Sequence, residues 1–556
     1  MNVECYPISV LPQITTLFRD YLDVEHGGEE AWLRRCYPTA PYSASISGAA
    51  WMRWRAGLPP TPQGDLDRLA ELLLEQNNRW NAARPAAGAS PVGNAAAVNI
   101  RKLRDGAAAV VTGQQVGLFG GPLLTLLKAA TAIRKAQEAT SAGYPHVPVF
   151  WLATEDHDLA EVDHVALPRK HELATLRASL RSEARPVGGL VLGPSITSAV
   201  EQLKDWLGYG PVCDLIETAY APAATLGEAF ARFIARVFAE QGLIVVDASS
   251  RHFHELGAET LRLGIERADE LHEALAERNA ELEQHGYHAQ VLVPEGGSLL
   301  FLIDDTTGAR NVLKHVAGTE VWKAAGQSYS TSELLAVLDR EPERISPNAL
   351  LRAVFQDTIF PTSAYIGGPA EIAYFAQSQV LYERILGRTT PVLPRLSATL
   401  IEPALAKVMA QHELLLPDVM TSPAALAQKL GARAMPVETK RKLAAAGNTL
   451  DRELAALTEW MQSMDESLGR SAEVAASKML YQMNRLRLMG ANYELQRNAS
   501  LRKHSEALSL HLFPEQKPQE RVLGGVWFLA RYGDGLAQLL VDHAEQDCPG
   551  HRAFFL

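Results

Sequence analysis

Residues 107–128, AAAVVTGQQVGLFGGPLLTLLK, decide the fold class of this 556-residue chain. The stretch begins with a short apolar, β-branched run of the kind that forms a buried strand. Glycines follow, and apolar residues then recur at three- and four-residue spacing up to residue 139, which predicts a helix. The predicted order is therefore strand, glycine-rich turn and helix.

A second apolar run, residues 147–154 (VPVFWLAT), follows this helix and predicts a second buried strand. Two strands joined by a helix form a βαβ unit, in which the strands are parallel and the crossover is right-handed. Residues 242–248 (GLIVVDA) repeat the buried-strand pattern. The sequence therefore predicts an α/β core with ligand-binding groups at the carboxyl ends of its parallel strands.

Breaks in this pattern predict how the chain is divided. We expect a catalytic core over residues 1–435, interrupted by two insertions at about 160–240 and 287–325. The second insertion is expected to hold a β-hairpin that turns at residues 295–297, Glu-Gly-Gly.

The region after the core has a helical pattern. Apolar residues recur mostly every three or four positions from Leu450 to Leu508, which predicts a long coiled coil within residues 436–512. An antiparallel or a dimeric pairing fits this pattern, and one helix of a compact bundle is the alternative. Residues 513–556 are expected to return as a helical segment.

Composition narrows the class of protein. The chain has 64 acidic and 53 basic residues, a net charge of −11, and no long Lys/Arg run, which disfavours a nucleic-acid partner. No window approaches about 18 consecutive apolar residues, so no membrane span is expected. The first residues lack a basic segment followed by an apolar one, and we therefore expect a cytoplasmic protein.

The cysteines suggest neither a disulfide framework nor a zinc site. They are scattered without C-x-x-C spacing, at Cys5, Cys36, Cys213 and Cys548. Four reduced thiols and no tightly bound metal are therefore expected.

The glycine-rich turn is the first candidate site. Glycine lets a backbone approach a ligand closely, and free N–H groups at a helix start favour a phosphate or carboxylate. Neither common nucleotide fingerprint is present, so a turn that only lets the helix pack on the strand is the alternative. The candidates are Thr112, Gly113, Gln114, Gln115, Gly117 and Gly120.

The second candidate site directly follows the strand at residues 147–154. Glu155, Asp156, His157 and Asp158 place three carboxylates beside an imidazole, a set that can bind an amine, hold a divalent cation or act as a general base. A solvated acidic loop is the alternative.

The third candidate site lies between residues 346 and 371. Arginine can hold a carboxylate or phosphate with two hydrogen bonds, and a second glycine pair again opens a helix. Purely structural ion pairs are the alternative for the two arginines of this group. The candidates are Arg352, Gln356, Gly367, Gly368 and Glu371, with Arg395 further along the chain.

These blocks together resemble one family. Residues 110–129, 148–165 and 346–377 look like the characteristic blocks of the bacillithiol-biosynthesis cysteine-adding enzymes, the BshC family. The likeness continues through residues 391–403 (PVLPRLSATLIEP) and 512–533 (LFPEQKPQERVLGGVWFLARYG), so it spans nearly the whole chain in the expected order.

The resemblance implies a fold and a reaction. The fold would be a Rossmann-like core related to class I aminoacyl-tRNA synthetases and nucleotidyltransferases, with two connecting-peptide insertions and a coiled coil that pairs two protomers. The reaction would condense the carboxylate of cysteine with the amino group of glucosaminyl malate, using ATP with transient Mg²⁺ as co-substrate. The synthetase motif H-x-G-H is absent, and Gly-Leu-Phe-Gly stands at residues 117–120 instead.

The same resemblance implies roles for the candidate residues. Gly113, Gln114, Gly117 and Gly120 would cradle the nucleotide or substrate. Lys128 or Arg352 would meet phosphate charge, and Asp156, His157 and Asp158 would handle the amine or Mg²⁺. The alternatives are a synthetase-like ligase acting on tRNA or another amine, and a dimeric nucleotide-binding scaffold without enzymatic activity.

Overall fold

The structure is a computed structural model that describes residues 2–23, 32–37, 51, 57–58, 61–81, 94–293, 296–533, 535–545 and 550–556. Its strands, in chain order, are β1 (Asn2–Tyr6), β2 (Ala108–Gln115), β3 (His146–Ala153), β4 (His164–Arg169), β5 (Glu172–Arg177), β6 (Ile244–Asp247), β7 (Gly297–Ile303), β8 (Arg310–His315), β9 (Val321–Ala324), β10 (Gln327–Ser330), β11 (Ile345–Pro347), β12 (Thr362–Gly367), β13 (Val392–Pro394), β14 (Ser397–Ile401) and β15 (His551–Phe555).

The α-helices fall into two groups. Those up to β13 are α1 (Thr16–Asp23), α2 (Leu33–Cys36), α3 (Gln63–Asn81), α4 (Ala95–Arg104), α5 (Leu124–Ser141), α6 (Leu159–Val162), α7 (Ile196–Leu207), α8 (Pro211–Ala219), α9 (Leu226–Val237), α10 (Arg251–Leu256), α11 (Ala258–Glu266), α12 (Ala268–Gln284), α13 (Thr331–Arg340), α14 (Ala349–Ile359) and α15 (Pro369–Leu386). Those after β14 are α16 (Pro403–Gln411), α17 (Leu416–Val419), α18 (Pro423–Ala434), α19 (Val437–Met464), α20 (Glu466–Arg497), α21 (Ala499–Leu512), α22 (Gln519–Val522), α23 (Gly525–Tyr532) and α24 (Gly535–Asp542).

The central sheet confirms the predicted α/β core. Five parallel strands lie in the order β13-β12-β2-β3-β6, which is the Rossmann order when the strands are numbered along the chain. The predicted strands at residues 107–112, 147–154 and 242–248 are its three successive neighbours β2, β3 and β6. The chain reverses its direction of winding between β2 and β12, and this switch point is where such sheets bind ligands.

The two faces of this sheet are both covered, as a parallel sheet requires. Along β3 the side chains alternate, with Val147 and Val149 facing one apolar core and Phe150 and Leu152 facing the other. Helix α5 is buried along most of its length because its apolar positions occupy more than one side. Only the carboxyl edge of the sheet is therefore left for polar chemistry.

The first insertion connects β3 to β6. It contains the antiparallel pair β4-β5 and the helices α7, α8 and α9. Backbone N–H groups of Val187 and Gly188 donate to the carbonyls of Asp156 and Thr154, so the returning chain holds the residues that follow β3. A Cβ at Gly188 would lie 2.3 Å from the Thr154 Cβ, and only glycine permits this approach.

The second insertion is an antiparallel sheet in the order β10-β9-β8-β7-β11, and it extends to residue 347. The predicted hairpin turn at residues 295–297 falls partly on Glu295, which lies outside the described residues. The hairpin itself is wrong in the described part, because none of residues 287–293 is in a strand, and Gly297 begins β7, which turns into β8 at residues 304–309. The Asp304 carboxylate accepts the N–H groups of Thr306 and Thr307, and Gly308 has a φ of +72°. These are the features of a side-chain-stabilised turn.

The two ends of the chain meet in a third sheet, β1-β15-β14. Residues 513–556 contain α22, α23 and α24 but end in β15, so the expectation of a wholly helical segment is wrong for residues 551–555. The reason is tertiary, because β15 lies buried between two strands that are distant in sequence.

One cysteine differs from the expectation. Cys5 in β1 is disulfide-bonded, so the expectation of four reduced thiols is wrong for this residue. Cys36 and Cys213 are free and buried, and Cys548 lies outside the described residues. The absence of C-x-x-C spacing reports only on cysteines that are close in sequence.

The predicted coiled coil is an antiparallel hairpin within one chain, formed by α19 and α20. The helical region begins at Val437, earlier than the pattern from Leu450 indicates, and it is interrupted at Asp465 and Asn498. Both interrupting residues are N-caps: the Asp465 side chain accepts the N–H groups of Ser467 and Leu468. None of the helices in the described ranges is long and apolar enough to span a membrane.

Candidate functional site

A buried network of charged groups lies at the switch point between β2 and β12. Lys128, on α5, places its Nζ 2.5 Å from Oε2 of Glu371, 2.6 Å from the Gly113 carbonyl oxygen and 3.0 Å from Oε1 of Gln114. Glu371 lies in the first turn of α15, where its carboxylate also accepts the N–H of Gly368 at 2.8 Å. The network thus joins the ends of the two central strands.

Electrostatics keeps this lysine and glutamate as an ion pair. Burial alone would raise the pKa of the Glu371 carboxyl, but the Lys128 ammonium and the Gly368 N–H outweigh it and lower that pKa. Burial lowers the pKa of Lys128, and the Arg395 and Arg352 charges lower it further, while Glu371 acts in the opposite direction. Two further cations, Arg395 and Arg352, therefore act on this ion pair.

Arg352 has no carboxylate partner within ion-pair distance among the described residues. Its Nη2 donates to the Tyr374 hydroxyl at 2.9 Å, and its guanidinium lies 5.7 Å from the centre of the Tyr365 ring. Tyr365 in turn donates its hydroxyl to Oε1 of Glu371 at 2.7 Å. A buried guanidinium held by neutral groups is suited to binding an anionic ligand.

Arg395 differs from Arg352, because it forms the structural ion pair that the sequence analysis gave as the alternative role. Its guanidinium pairs with Glu520 at 2.6 Å, both side chains being 3% exposed. The second Glu520 oxygen accepts the N–H of Ala398 at 2.8 Å. Arg395 therefore contributes charge to the site, while its hydrogen bonds anchor the C-terminal segment.

The second cluster follows β3, the strand next to β2. The Gln115 amide donates to Asp156 Oδ2 and to Glu161, each at 2.7 Å. The other Asp156 oxygen accepts the N–H of His157 at 2.7 Å, and the His157 ring is partly exposed. Because Gln114 contacts Lys128 and Gln115 contacts Asp156, two consecutive amides link the two clusters.

Glu155 forms a buried dyad with His254, a residue that the sequence analysis missed. His254 is fully buried, with Nε2 3.0 Å from Oε1 of Glu155 and Nδ1 3.0 Å from the carbonyl oxygen of Pro342. A carbonyl oxygen only accepts, so Nδ1 carries a proton. Burial alone would lower the pKa of His254, but Glu155 outweighs it and raises that pKa above 6.5.

Arg310, on β8, was also missed, and it brings the second insertion to the site. Its side chain donates to Ser346 Oγ at 2.9 Å and to the Pro347 carbonyl at 2.8 Å, above the Phe301 ring. The His157 ring lies 5.9 Å from the same Phe301 ring, centre to centre, so the guanidinium lies beside the cluster after β3. Burial lowers the pKa of Arg310, and the charges of Glu155 and Asp156 act in the opposite direction. No sequence pattern identified Arg310, because it belongs to the inserted sheet and its proximity to Glu155 depends on how that sheet packs.

Several predicted residues have structural contacts instead. Thr112 donates its hydroxyl to the Ile366 carbonyl inside the sheet, and Gln356 is fully buried beside Asp357. The N–H of Gly120 donates to the Tyr220 hydroxyl at 3.0 Å, and a Cβ there would lie 2.1 Å from the Phe233 ring. Of the candidate residues in the glycine-rich turn, residues 113–115 are therefore the ones that contact the two charged clusters.

Three further residues help to shape the turns. A Cβ at Gly117 would lie 2.9 Å from the Gly121 Cα, so this glycine permits a tight turn. The Gly367 carbonyl accepts the N–H of Arg395, and Asp158 caps α6 through the N–H of Ala160. In the described part of the chain, no group of three His, Cys, Asp or Glu side chains has a metal-binding arrangement.

A Rossmann-ordered parallel sheet, with charged groups gathered at its switch point, defines an α/β protein whose candidate ligand site lies at the carboxyl ends of β2 and β12. Comparison with known proteins identifies the family. A family model described as bacillithiol biosynthesis BshC, N-terminal Rossmann-like domain, matches residues 1–396. A second, described as bacillithiol biosynthesis BshC, C-terminal coiled-coil domain, matches residues 398–555. The chain belongs to the bacillithiol biosynthesis BshC family.

Individual relatives agree over the full length. A relative from Koribacter versatilis is 41% identical over 555 residues, covering 99% of both chains. Another from Solibacter usitatus is 34% identical over 559 residues, again covering 99% of both, and one from Salinibacter ruber is 31% identical over 88% of both. The names of all three contain the words cysteine ligase BshC.

Proposed function

We propose that this chain is a cysteine ligase that joins L-cysteine to the amine of glucosaminyl malate, the last step of bacillithiol biosynthesis. The observation that carries the proposal is the junction of two clusters at the sheet edge. An anion-binding cluster around Lys128 and Arg352 is linked through Gln114 and Gln115 to a carboxylate and imidazole cluster at Asp156 and His157. Amide synthesis needs both functions next to each other.

The chemistry assigns a task to each cluster. The amine of the acceptor must lose a proton before a carbon–nitrogen bond forms, and Asp156 or His157 can accept it. The carboxylate of cysteine must lose an oxygen, which we expect to leave on a phosphorus-containing product of ATP. Lys128 and Arg352 can bind the negative charge of such groups, and Mg²⁺ bound with the nucleotide would neutralise part of it.

The acceptor and the nucleotide together carry several negative charges, whereas the whole chain has a net charge of −11. A local excess of cations at the switch point is therefore a specific feature of this site. The same overall charge makes tRNA a poor partner.

The test is a reaction of the purified full-length protein with cysteine, glucosaminyl malate, ATP and Mg²⁺. We expect mass spectrometry to detect the cysteinyl product and nucleotide analysis to show ATP consumption only when both other substrates are present. Omitting ATP without loss of product would contradict the ATP requirement. No product with glucosaminyl malate, but product with another amine or tRNA, would support a synthetase-like ligase, and binding without turnover would support a scaffold.

A companion experiment compares cells with and without the gene. Loss of bacillithiol together with accumulation of glucosaminyl malate is the expected result. In the purified protein, we expect Asp156→Asn and His157→Gln to lower turnover, with Asp105→Asn, at the exposed end of α4, as a control. Normal turnover in both site variants would remove the role assigned to the cluster after β3.

We further propose that the protein is a homodimer paired through the helical hairpin. Large apolar side chains on α19 and α20 are at least half exposed at three- and four-residue spacing, among them Leu457, Trp460, Met464, Leu486, Met489 and Tyr493. A second copy of the same hairpin would cover such a face.

A further inference from the structure

The segment that follows the helical hairpin, residues 519–525, is fixed at both ends beside the switch point. The Gln519 amide exchanges hydrogen bonds of 2.8 and 2.9 Å with the backbone of Leu400. At the other end, the Leu523 carbonyl accepts the N–H of Leu123 at 2.8 Å, directly after the glycine-rich turn. Hydrogen bonds therefore tie both ends of this segment to neighbouring elements of the core.

One side chain in this fixed segment has no partner. Gln519 and Glu520 are 1% and 2% exposed, whereas more than a third of the Arg521 surface is exposed. Among the residues that the structure describes, no hydrogen-bond acceptor or carboxylate pairs with the Arg521 guanidinium. Its pKa is lowered, first by partial burial and then by the charge of Arg395, while Glu520 and Glu371 act in the opposite direction. Arg521 directly follows Glu520, whose partner Arg395 donates its backbone N–H to the Gly367 carbonyl at the end of β12, so the segment that carries Arg521 lies at the switch point.

The charges of this network do not cancel. Four cations, Lys128, Arg352, Arg395 and Arg521, surround two carboxylates, Glu371 and Glu520. His551 also lies beside Glu520, but burial lowers its pKa to about 4, so it is neutral near pH 7. Four positive and two negative groups leave an excess of two positive charges. Partly buried like charges are costly unless an anion accompanies them.

We propose that Arg521 is a substrate-binding residue of the switch-point site, where its free guanidinium binds an oxyanion, either a phosphate of the nucleotide or a carboxylate of the acceptor. The Arg395–Glu520 pair, one residue away in the chain, fixes its position. The C-terminal domain would thus complete a site that the Rossmann-like domain begins. The proposal rests on the proposed function for the identity of the two ligands, but not for the presence of an oxyanion site.

The test measures binding, so that it does not depend on turnover. Isothermal titration of the full-length protein with Mg·ATP and, separately, with glucosaminyl malate would compare wild type, Arg521→Gln and Arg521→Lys. The control is Arg470→Gln, an exposed arginine near the tip of the hairpin. We expect Arg521→Gln to weaken binding of one ligand about 10- to 100-fold, as expected for a charge-assisted hydrogen bond. We expect Arg521→Lys to weaken it less.

The affected ligand identifies the source of the oxyanion. Weaker binding of Mg·ATP alone indicates a phosphate, and weaker binding of glucosaminyl malate alone indicates a carboxylate. Unchanged affinity for both ligands in Arg521→Gln, or an equal loss in Arg470→Gln, would overturn the proposal. Arg521 has no partner in the described part of the protein. The melting temperature of the Arg521→Gln variant should therefore stay within a degree or two of wild type, about the shift expected for a surface substitution. A wild-type protein that binds Mg·ATP but forms no cysteinyl product would refute the proposed function and leave the binding comparison valid.

Discussion

Lys128 shows how one buried side chain can serve both stability and ligand binding. Its side chain is 5% exposed, and its ammonium contacts Glu371, Gly113 and Gln114 at once. A lysine in such a place needs its carboxylate partner, because an unpaired buried charge is strongly destabilising. The same group also supplies part of the positive charge at the switch point.

We therefore predict different outcomes for single and double substitutions of this pair. Lys128→Met alone should lower the free energy of unfolding by about 3 to 5 kcal/mol, because it leaves Glu371 buried without its partner. Lys128→Met with Glu371→Gln should recover part of that loss but no ligase activity, since the cation remains absent. Urea unfolding and product formation measure the two effects. Additive losses in the double variant would mean that the two residues do not interact.

His254 gives a prediction of pH dependence. Its pKa is raised above 6.5 in the folded protein, so it contributes stability that is fully present below pH 6.5 and is lost as pH rises through the folded-state pKa. The stability difference between wild type and His254→Gln should therefore be larger below pH 6.5 than in mildly alkaline buffer. Urea unfolding at both pH values tests this.

The control for this experiment is His252→Gln, an exposed histidine on the same helix α10. Its difference from wild type should be small at both pH values. A His254→Gln difference that is constant across the pH range would show that the dyad with Glu155 does not carry a proton-linked interaction.

At the scale of elements, the hairpin of α19 and α20 leaves large apolar side chains exposed in a single chain. Its two helices pack on each other, yet Trp460 and Met464 are 58% and 61% exposed. Asp465 and Asn498 cap the helices that follow them, so the sequence itself specifies where the helical region is interrupted.

We predict that the exposed apolar side of the hairpin determines the oligomeric state. Trp460→Glu together with Met464→Glu should convert a dimer into a monomer, because each change buries a charge in the proposed contact. Light scattering coupled to size-exclusion chromatography measures the mass. Arg452→Glu, an exposed polar position on the same helix, should leave the dimer intact. A monomeric wild type would contradict the proposed pairing.

At the scale of the whole molecule, β15 ties the chain ends to the site. It lies between β1 and β14, and the ring nitrogens of His551 are each 2.8 Å from a hydroxyl oxygen of β14, that of Ser397 or of Thr399. Because β14 directly follows Arg395, disturbance of this small sheet reaches the switch point.

We predict that a chain ending at Gly550 is less stable and less active than the full chain, since it loses the buried strand and leaves β1 and β14 unpaired. Thermal unfolding and product formation test this. Phe554→Leu, which keeps the strand, should cost less stability than the truncation, because it removes only part of one buried side chain. Wild-type stability in the truncated chain would show that β15 is dispensable.

The sequence by itself determined the strand, glycine-rich turn and helix of the core and the two strands that follow them, β3 and β6. Period-two and period-3.6 apolar patterns are local, and so is the rule that polar residues at strand ends meet at one sheet edge. The sequence analysis could therefore name Gln114, Asp156, Arg352 and Glu371 as candidate residues. The blocks that resemble one family also identified that family correctly.

Only the tertiary structure decided which of the candidate groups are paired. Arg395 is bonded to Glu520, which lies 125 residues away, and Glu155 to His254, which lies 99 residues away. The N–H of Gly120 donates to the hydroxyl of Tyr220 in the first insertion. The Arg521 guanidinium has no hydrogen-bond partner among the residues that the structure describes. The physical reason is that burial and hydrogen bonding depend on which distant segments pack together, and no local spacing records this.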